Sequence, residues 1–499
     1  MRAPEFPTDA IWLNTKESLS LKKLRGHIVL IDFWTYCCIN CVHVLQELSD
    51  LEKYRGEPFI VIGVHTAKFT NEQDPANIAQ AIARYEIKHP IIVDSSNRIR
   101  DEYTVKAWPT LYLLGADGKI IDQWVGEGHQ HDIDQAIAQS LKEARQQNRL
   151  SRQKVKITRT FPPRSTLSFP GKITFHPNNE HLFVSDTNHH RILELEFLDK
   201  DKAQVVQVIG KGKKGRRDSS FQMSTFNRPH GLEATDQYLY VCDTGNHLIR
   251  QIDLIHQQVH TIAGTGTKAP FGEKGGNALQ TPLSSPWDLA ISGNHCYIAM
   301  AGSHQVWDLN LENQELHALT GSGWEGLTDG PSLEAHLAQP SGISIDAKHL
   351  YFVDSESSAL RRYSFKTKEL STLIGTGLFS FGLVDGPFSN SLMQHPVGID
   401  LVDHEIYIAD TYNHSIRVVN LQSKEVHTLI SRKQSDVCQI EDEDCLILPL
   451  YEPSDVTVHQ GKLYIADTNN HLIRIFDLTT KDFSTVEIYM DKESACFPC

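Results

Sequence analysis
Hydrophobic and polar positions follow two different rules along this chain. Up to about residue 148, short apolar runs such as HIVLIDFW (27–34) and PFIVIGVH (58–65) alternate with VHVLQELSDLEKY (42–54) and NIAQAIARY (77–85), whose apolar residues recur three or four apart. The runs predict buried strands and the periodic segments predict amphipathic helices, the alternation expected of βα units around a mostly buried sheet. Helical periodicity ends in the polar stretch EARQQNRLSRQK (143–154). Beyond it come short strand patterns broken by Gly, Pro, Asn and Asp. An α/β domain is therefore placed at 1–148, a linker at 149–154, an all-β domain at 155–490 and a flexible Cys-containing tail at 491–499.

The all-β region repeats. LFVSDTNHHRIL, LYVCDTGNHLIR, CYIAMAGSHQVW, LYFVDSESSALR, IYIADTYNHSIR and LYIADTNNHLIR align at Asp186, Asp243, Met300, Asp354, Asp410 and Asp467, 54 to 57 residues apart. A Pro and an alternating strand precede most copies, as in RPHGLEAT and HPVGIDLV, and four copies run on to a Gly-x-Gly at Gly210, Gly264, Gly321 and Gly375. Each copy can supply four short strands. Alone such a unit exposes both faces, whereas radial stacking buries them and shelters the edges, so a six-bladed propeller is expected. The repeats resemble NHL repeats through the run GTGLFSFGLVDGPFSNSLMQHPVGI (375–399), with Met300 a departure in the third copy and the Gly-x-Gly missing from the fifth and sixth. His190, His247, His304, His414 and His471 each stand four residues after the aligned position. Recurrence in blade after blade marks a scaffold residue, so Asp and His are assigned to a turn between strands, the Asp accepting turn amides and the His packing against it, and no metal is expected.

Composition narrows the function classes. With 48 Lys and Arg against 62 Asp and Glu the net charge is −14, and 40% hydrophobic with 22% charged residues describes an ordinary folded chain. The acidic balance argues against a general nucleic-acid binder. The basic run KGKKGRR (211–217) contains no aromatic residue to stack on a base and is assigned to solvated surface, so no nucleic acid is expected as a partner. No apolar run approaches the roughly 18 residues of a membrane helix, and Pro4, Glu5, Pro7 and Asp9 interrupt the start before an apolar signal core could form. A cytoplasmic location and no membrane partner are expected. The nine cysteines cluster and do not form an even disulfide framework.

The sharpest chemical signal is LIDFWTYCCINC, a strand running into a helix at Cys38-Ile39-Asn40-Cys41. At a helix N-terminus unpaired amides and the dipole stabilise the Cys38 thiolate, and Cys41, one turn on, can resolve a mixed disulfide. The stretch resembles the thioredoxin signature, with Asp32, Phe33 and Trp34 at the matching offsets and AWPTLYLLGADGKI further on. That resemblance implies a thioredoxin-like fold, a cis Pro109, and an extended substrate pairing with the chain around Trp108. Cys37 replaces the usual Trp, Ile39-Asn40 replaces Gly-Pro, and the strand PFIVIGVH lacks the Lys that thioredoxins place beside the buried Asp. The insert DPANIAQAIARYEIKHP resembles the peroxiredoxin and thiol-disulfide reductase branch. Thr35 and Cys38 fit the peroxidase pattern Pro-x-x-x-Thr-x-x-Cys, with Ile31 in the Pro position, which keeps a thiol peroxidase as an alternative.

Domain order and the triplet CCINC together resemble the NHL repeat-containing protein 2 family. The expected activity is thiol-disulfide exchange on a protein or peptide disulfide, with an unidentified electron donor and no cofactor. The long inserts between blades emerge on one propeller face and are expected to hold a protein partner. The alternative is a redox-sensing or non-catalytic interaction scaffold. Cys496 and Cys499 in ACFPC form a candidate second thiol pair, Cys438 and Cys445 a candidate local disulfide, and Cys242 and Cys296 are expected in the core.

Overall fold
The computed structural model describes residues 1–54, 56–158, 165–433, 438 and 445–490. The chain forms two compact units, Met1–Pro163 and Arg164–Cys499.

In the first unit, strands β1 (Ile11–Leu13), β2 (Ile28–Trp34), β3 (Phe59–His65), β4 (Ile91–Val93), β5 (Thr110–Leu114) and β6 (Ile120–Val125) form one sheet in the order β1-β4-β3-β2-β5-β6. β2 pairs parallel with β3 and antiparallel with β5. Its seven residues are all buried, as a central strand covered on both faces requires. Val29, Ile31 and Phe33 join Ile62, Val64 and Tyr112 in one core, so the pleat turns Leu30, Asp32 and Trp34 to the other face. The helices are α1 (Ile39–Asp50), α2 (Pro75–Arg84), the short α3 (Arg98–Glu102) and α4 (Gln130–Gln146). Asp74 caps α2, its Oδ1 accepting Ala76 N at 2.8 Å, with Pro75 supplying the first helical φ. On α4, Ile133, Ile137, Leu141 and Ala144 form the buried stripe. The polar stretch after α4 lies along this unit: Ser151 N donates to Gly26 O at 2.8 Å, and Val155 packs on the core.

The second unit is a six-bladed propeller of antiparallel meanders. Its inner strands, Pro170–Phe175, Leu232–Ala234, Pro286–Ser292, Pro340–Ile345, Gly398–Val402 and Asp455–His459, pack in sequence, and the last returns to the first. Among the described residues, five blades carry a fifth short strand on the outer edge, beyond the four expected. In blade one that strand is Glu487–Tyr489, paired parallel with Lys202–Gln204, so the end of the repeat region closes the ring. Lys172, buried near the axis, binds Asp288 Oδ2 (2.9 Å), Asp455 Oδ1 (3.1 Å) and the Val397 carbonyl (3.0 Å), tying blades one, three, five and six.

The recurring Asp and His act between segments more than within the turn. Asp243 accepts Asn227 N, sixteen residues upstream, and the Arg250 guanidinium, which also holds Asp218. Arg361 joins Asp354 to Asp329 and Arg417 joins Asp410 to Asp385 in the same way. Blade three has Met300 and Trp307 in the places of Asp and Arg, both buried, so an apolar pair replaces the ion pair. His190, His247, His304, His414 and His471 each accept through Nδ1 a backbone N–H of the following blade: Arg228, Ser285, Gln339, Glu452 and, closing the circle, Phe169, all at 3.0–3.1 Å. Ser358 Oγ does the same for His395 N. The five histidines adopt left-handed backbone at φ 52–59°, which aims each ring across the blade boundary.

Candidate active site
β2 stops at Trp34 and α1 starts at Ile39, so Thr35-Tyr36-Cys37-Cys38 makes the turn between them. Cys38 occupies the N-cap with extended backbone (φ −80°, ψ 118°). Its carbonyl accepts Val42 N at 3.1 Å, and its side chain makes no capping hydrogen bond. The unpaired first-turn amides of α1 begin at this position. Cys37, Cys38 and Cys41 are free thiols; Cys38 is half-buried while its two neighbours are buried. Burial, then the Cys38 sulfur, pushes the Cys41 thiol well above the ordinary range. One sulfur is thus reachable and the other is kept protonated behind it.

Asp32 is fully buried on β2, neither carboxylate oxygen has a hydrogen-bond partner among the described residues, and burial pushes its pKa up to about 7. Its parallel neighbour across the ladder is Gly63. A side chain there would meet Ile91 Cδ1, Trp34 Nε1 and His89 Nε2 within 2.4–3.3 Å, so this position has no room for a lysine. Burial holds His65 at about 3 and His89 at about 4, leaving both rings uncharged at neutral pH.

The Trp108–Pro109 peptide bond is cis. Pro109 is buried and its carbonyl accepts Gly126 N at 2.9 Å. Trp108 is half-buried, its indole N–H donating to Thr66 Oγ1 at 2.5 Å and its ring lying under the Arg100 guanidinium at 4.5 Å. The backbone N–H and C=O of Trp108 make no hydrogen bond among the described residues, which leaves them open to an extended chain.

Sequence reasoning missed Glu72. Its carboxylate is fully buried and accepts Thr35 Oγ1 (2.6 Å) and Cys37 N (3.0 Å) on one oxygen, Lys68 N (2.9 Å) and Phe69 N (3.0 Å) on the other. Beside it Asn71 Nδ2 donates to Tyr36 Oη at 3.1 Å. The insert before α2 therefore fixes the turn that carries Cys38. A signal was present only in outline, as one acid within the otherwise uncharged run FTNEQ. Also unforeseen is His43 on α1, whose Nδ1 lies 2.5 Å from Glu127 Oε2. Of the other cysteines, Cys438 and Cys445 form a disulfide, Cys242 and Cys296 are buried, and Cys496 and Cys499 fall outside the described residues.

The fold and site define a thioredoxin-like domain joined to an NHL propeller. A thioredoxin-like family model matches residues 26–120, an NHL-repeat model residues 393–419 and 450–476, and an LVIVD-repeat model residues 285–304. The chain is 37% identical over 532 residues to human NHL repeat-containing protein 2, covering 99% of this chain and 72% of that one. It is 38% identical over 504 residues to Protein SUPPRESSOR OF QUENCHING 1, chloroplastic, of Arabidopsis thaliana, covering 97% of this chain and 47% of the plant protein, about half its length. Thiol-disulfide oxidoreductase ResA of Bacillus cereus is 26% identical over 112 residues, 22% of this chain and 62% of that protein. This chain belongs to the NHL repeat-containing protein 2 family. Its first unit is of the thioredoxin class, which supports a redox-related role.

Proposed function
We propose that the protein is a thiol-disulfide oxidoreductase whose propeller binds the protein partner or substrate. The observation that carries this reading is the pairing of an accessible Cys38 at the head of α1 with a buried Cys41 one turn on. The Cys38 thiolate attacks a substrate disulfide; a Cys38–substrate S–S bond forms and one substrate sulfur leaves as thiolate. Cys41 gives up its proton and attacks Cys38 Sγ, releasing the second substrate sulfur and leaving a Cys38–Cys41 disulfide. Two electrons pass from the protein dithiol to the substrate, and a separate donor restores the thiols. Asp32, buried and poised at about 7, is the acceptor assigned to the Cys41 proton, its charge acting on the Cys41 thiol. The open backbone of Trp108 supplies the edge on which an extended substrate strand pairs. The similarity to ResA supports the same chemistry.

The test is reduction of a peptide disulfide by wild type and by Cys38→Ser and Cys41→Ser. Loss of turnover in Cys38→Ser, with a trapped mixed disulfide in Cys41→Ser, is the expected result. Equal turnover in all three overturns the reading.

A further inference from the structure
Three adjacent inserts on one face of the propeller form a surface that its scaffold does not use. The first, after blade one, carries Lys213, Lys214, Arg216 and Arg217, all exposed, and among the described residues none is in an ion pair. Arg216 reaches the second insert, its Nη1 near the Thr265 (3.5 Å) and Gly266 (3.3 Å) carbonyls. The second insert presents Phe271 and the third Trp324, 68% and 62% exposed, with ring centroids 4.8 Å apart. Two large aromatic rings held against each other in solvent bury little apolar surface, and such pairs mark contact sites. Past Trp324 the same insert exposes Glu334. The order along the strip is cationic, then aromatic with Lys274 exposed near Phe271, then Glu334.

We infer that this strip binds an extended polypeptide segment that is acidic at one end and apolar or aromatic in the middle. The four cations meet the acidic end, and Phe271 and Trp324 pack on the apolar residues. The Glu334 carboxylate disfavours a ligand that is anionic along its whole length, which sets a peptide ahead of a single-stranded nucleic acid despite the basic and aromatic groups. The inference deepens the proposed role of the propeller as the binding unit, and it does not depend on Cys38.

The test uses the full chain and fluorescence anisotropy with three labelled probes: the peptide DEDEFGWFGS, its charge-reversed form KRKRFGWFGS, and the oligonucleotide (dT)10. The variants are Phe271→Ala with Trp324→Ala, and Lys213→Glu with Lys214→Glu; all four side chains are exposed, so circular dichroism should be unchanged. The expected result is binding of the acidic probe alone, weakened at least tenfold by either variant pair and by raising salt, and kept in Cys38→Ser. Binding of (dT)10 in preference, binding of both peptides alike, or acidic-probe binding untouched by the variants overturns the inference. Loss of disulfide turnover with intact probe binding would count against the thiol reading only.

Discussion

The turn that carries Cys38 is held by a residue far from it in the chain. Glu72 accepts four hydrogen bonds, two from the turn that ends in Cys38 and two from the insert that reaches it. A buried donor stripped of its acceptor costs about 1–3 kcal/mol. Glu72→Ala is therefore expected to destabilise the first unit by on the order of 3 kcal/mol or more, read as a lower denaturant midpoint, and Glu72→Gln by less. Asp32 makes the opposite case, a carboxyl buried without partners. Its pKa is raised from 3.8 to about 7, so the folded state holds a proton that the unfolded chain has released across that interval. Its stability contribution is greatest below pH 4 and is lost as pH rises through 7. Asp32→Asn should stabilise the first unit at pH 8 more than at pH 5, by on the order of 2–4 kcal/mol, in urea melts at the two pH values. The CxxC, Asp32 and Pro109 were legible because each sits at a fixed offset in a local pattern. Glu72 was not, because its burial is decided by how an insert folds back over a turn 35 residues earlier in the chain.

The blade is the element at which sequence repetition becomes structure. In blades two, four and five one buried arginine joins two aspartates, while blade three does without the set. Leaving one partner of a buried pair alone costs about 3–5 kcal/mol, whereas an apolar replacement of both is often neutral. Arg361→Leu should therefore destabilise blade four by that amount, while the double change Asp354→Met, Arg361→Trp, which copies blade three, should cost clearly less; chemical denaturation of the full chain compares them. The histidines were read as packing within their own turn. They instead accept a hydrogen bond from the next blade, a partner 35 to 38 residues downstream for four of them and 302 upstream for His471, which no local pattern names. Burial holds His414 at about 3 and His190 at about 4, against 6.5 in an unfolded chain. Their contribution is complete above pH 6.5 and declines as pH falls toward 4. Buried carboxylates such as Asp243, raised to about 6, act in the other direction, so a single variant isolates the effect. Asn tolerates left-handed backbone and offers an acceptor that does not titrate. Relative to wild type, His414→Asn should retain on the order of 2 kcal/mol more stability at pH 4.5 than at pH 7.5.

Across the whole molecule the two-part reading and the count of six blades followed from periodicity alone, because a repeat of 54 to 57 residues can bury its faces only against copies of itself. Ring closure was not legible. Glu487–Tyr489 has too little pattern of its own, and its parallel pairing with Lys202–Gln204 joins residues 285 positions apart. Removing residues 487–499 should raise amide exchange first along Lys202–Gln204, whose outer edge Glu487–Tyr489 covers. The central claim remains the chemistry of the first unit. The measurement that tests it most directly is a redox titration with thiol-trapping mass spectrometry on wild type and Cys38→Ser. The account predicts one reversible two-electron couple between Cys38 and Cys41, at about −180 to −270 mV as in thiol-disulfide exchangers, absent from the variant. Thiols that stay reduced across the whole range would contradict it and leave the first unit a scaffold.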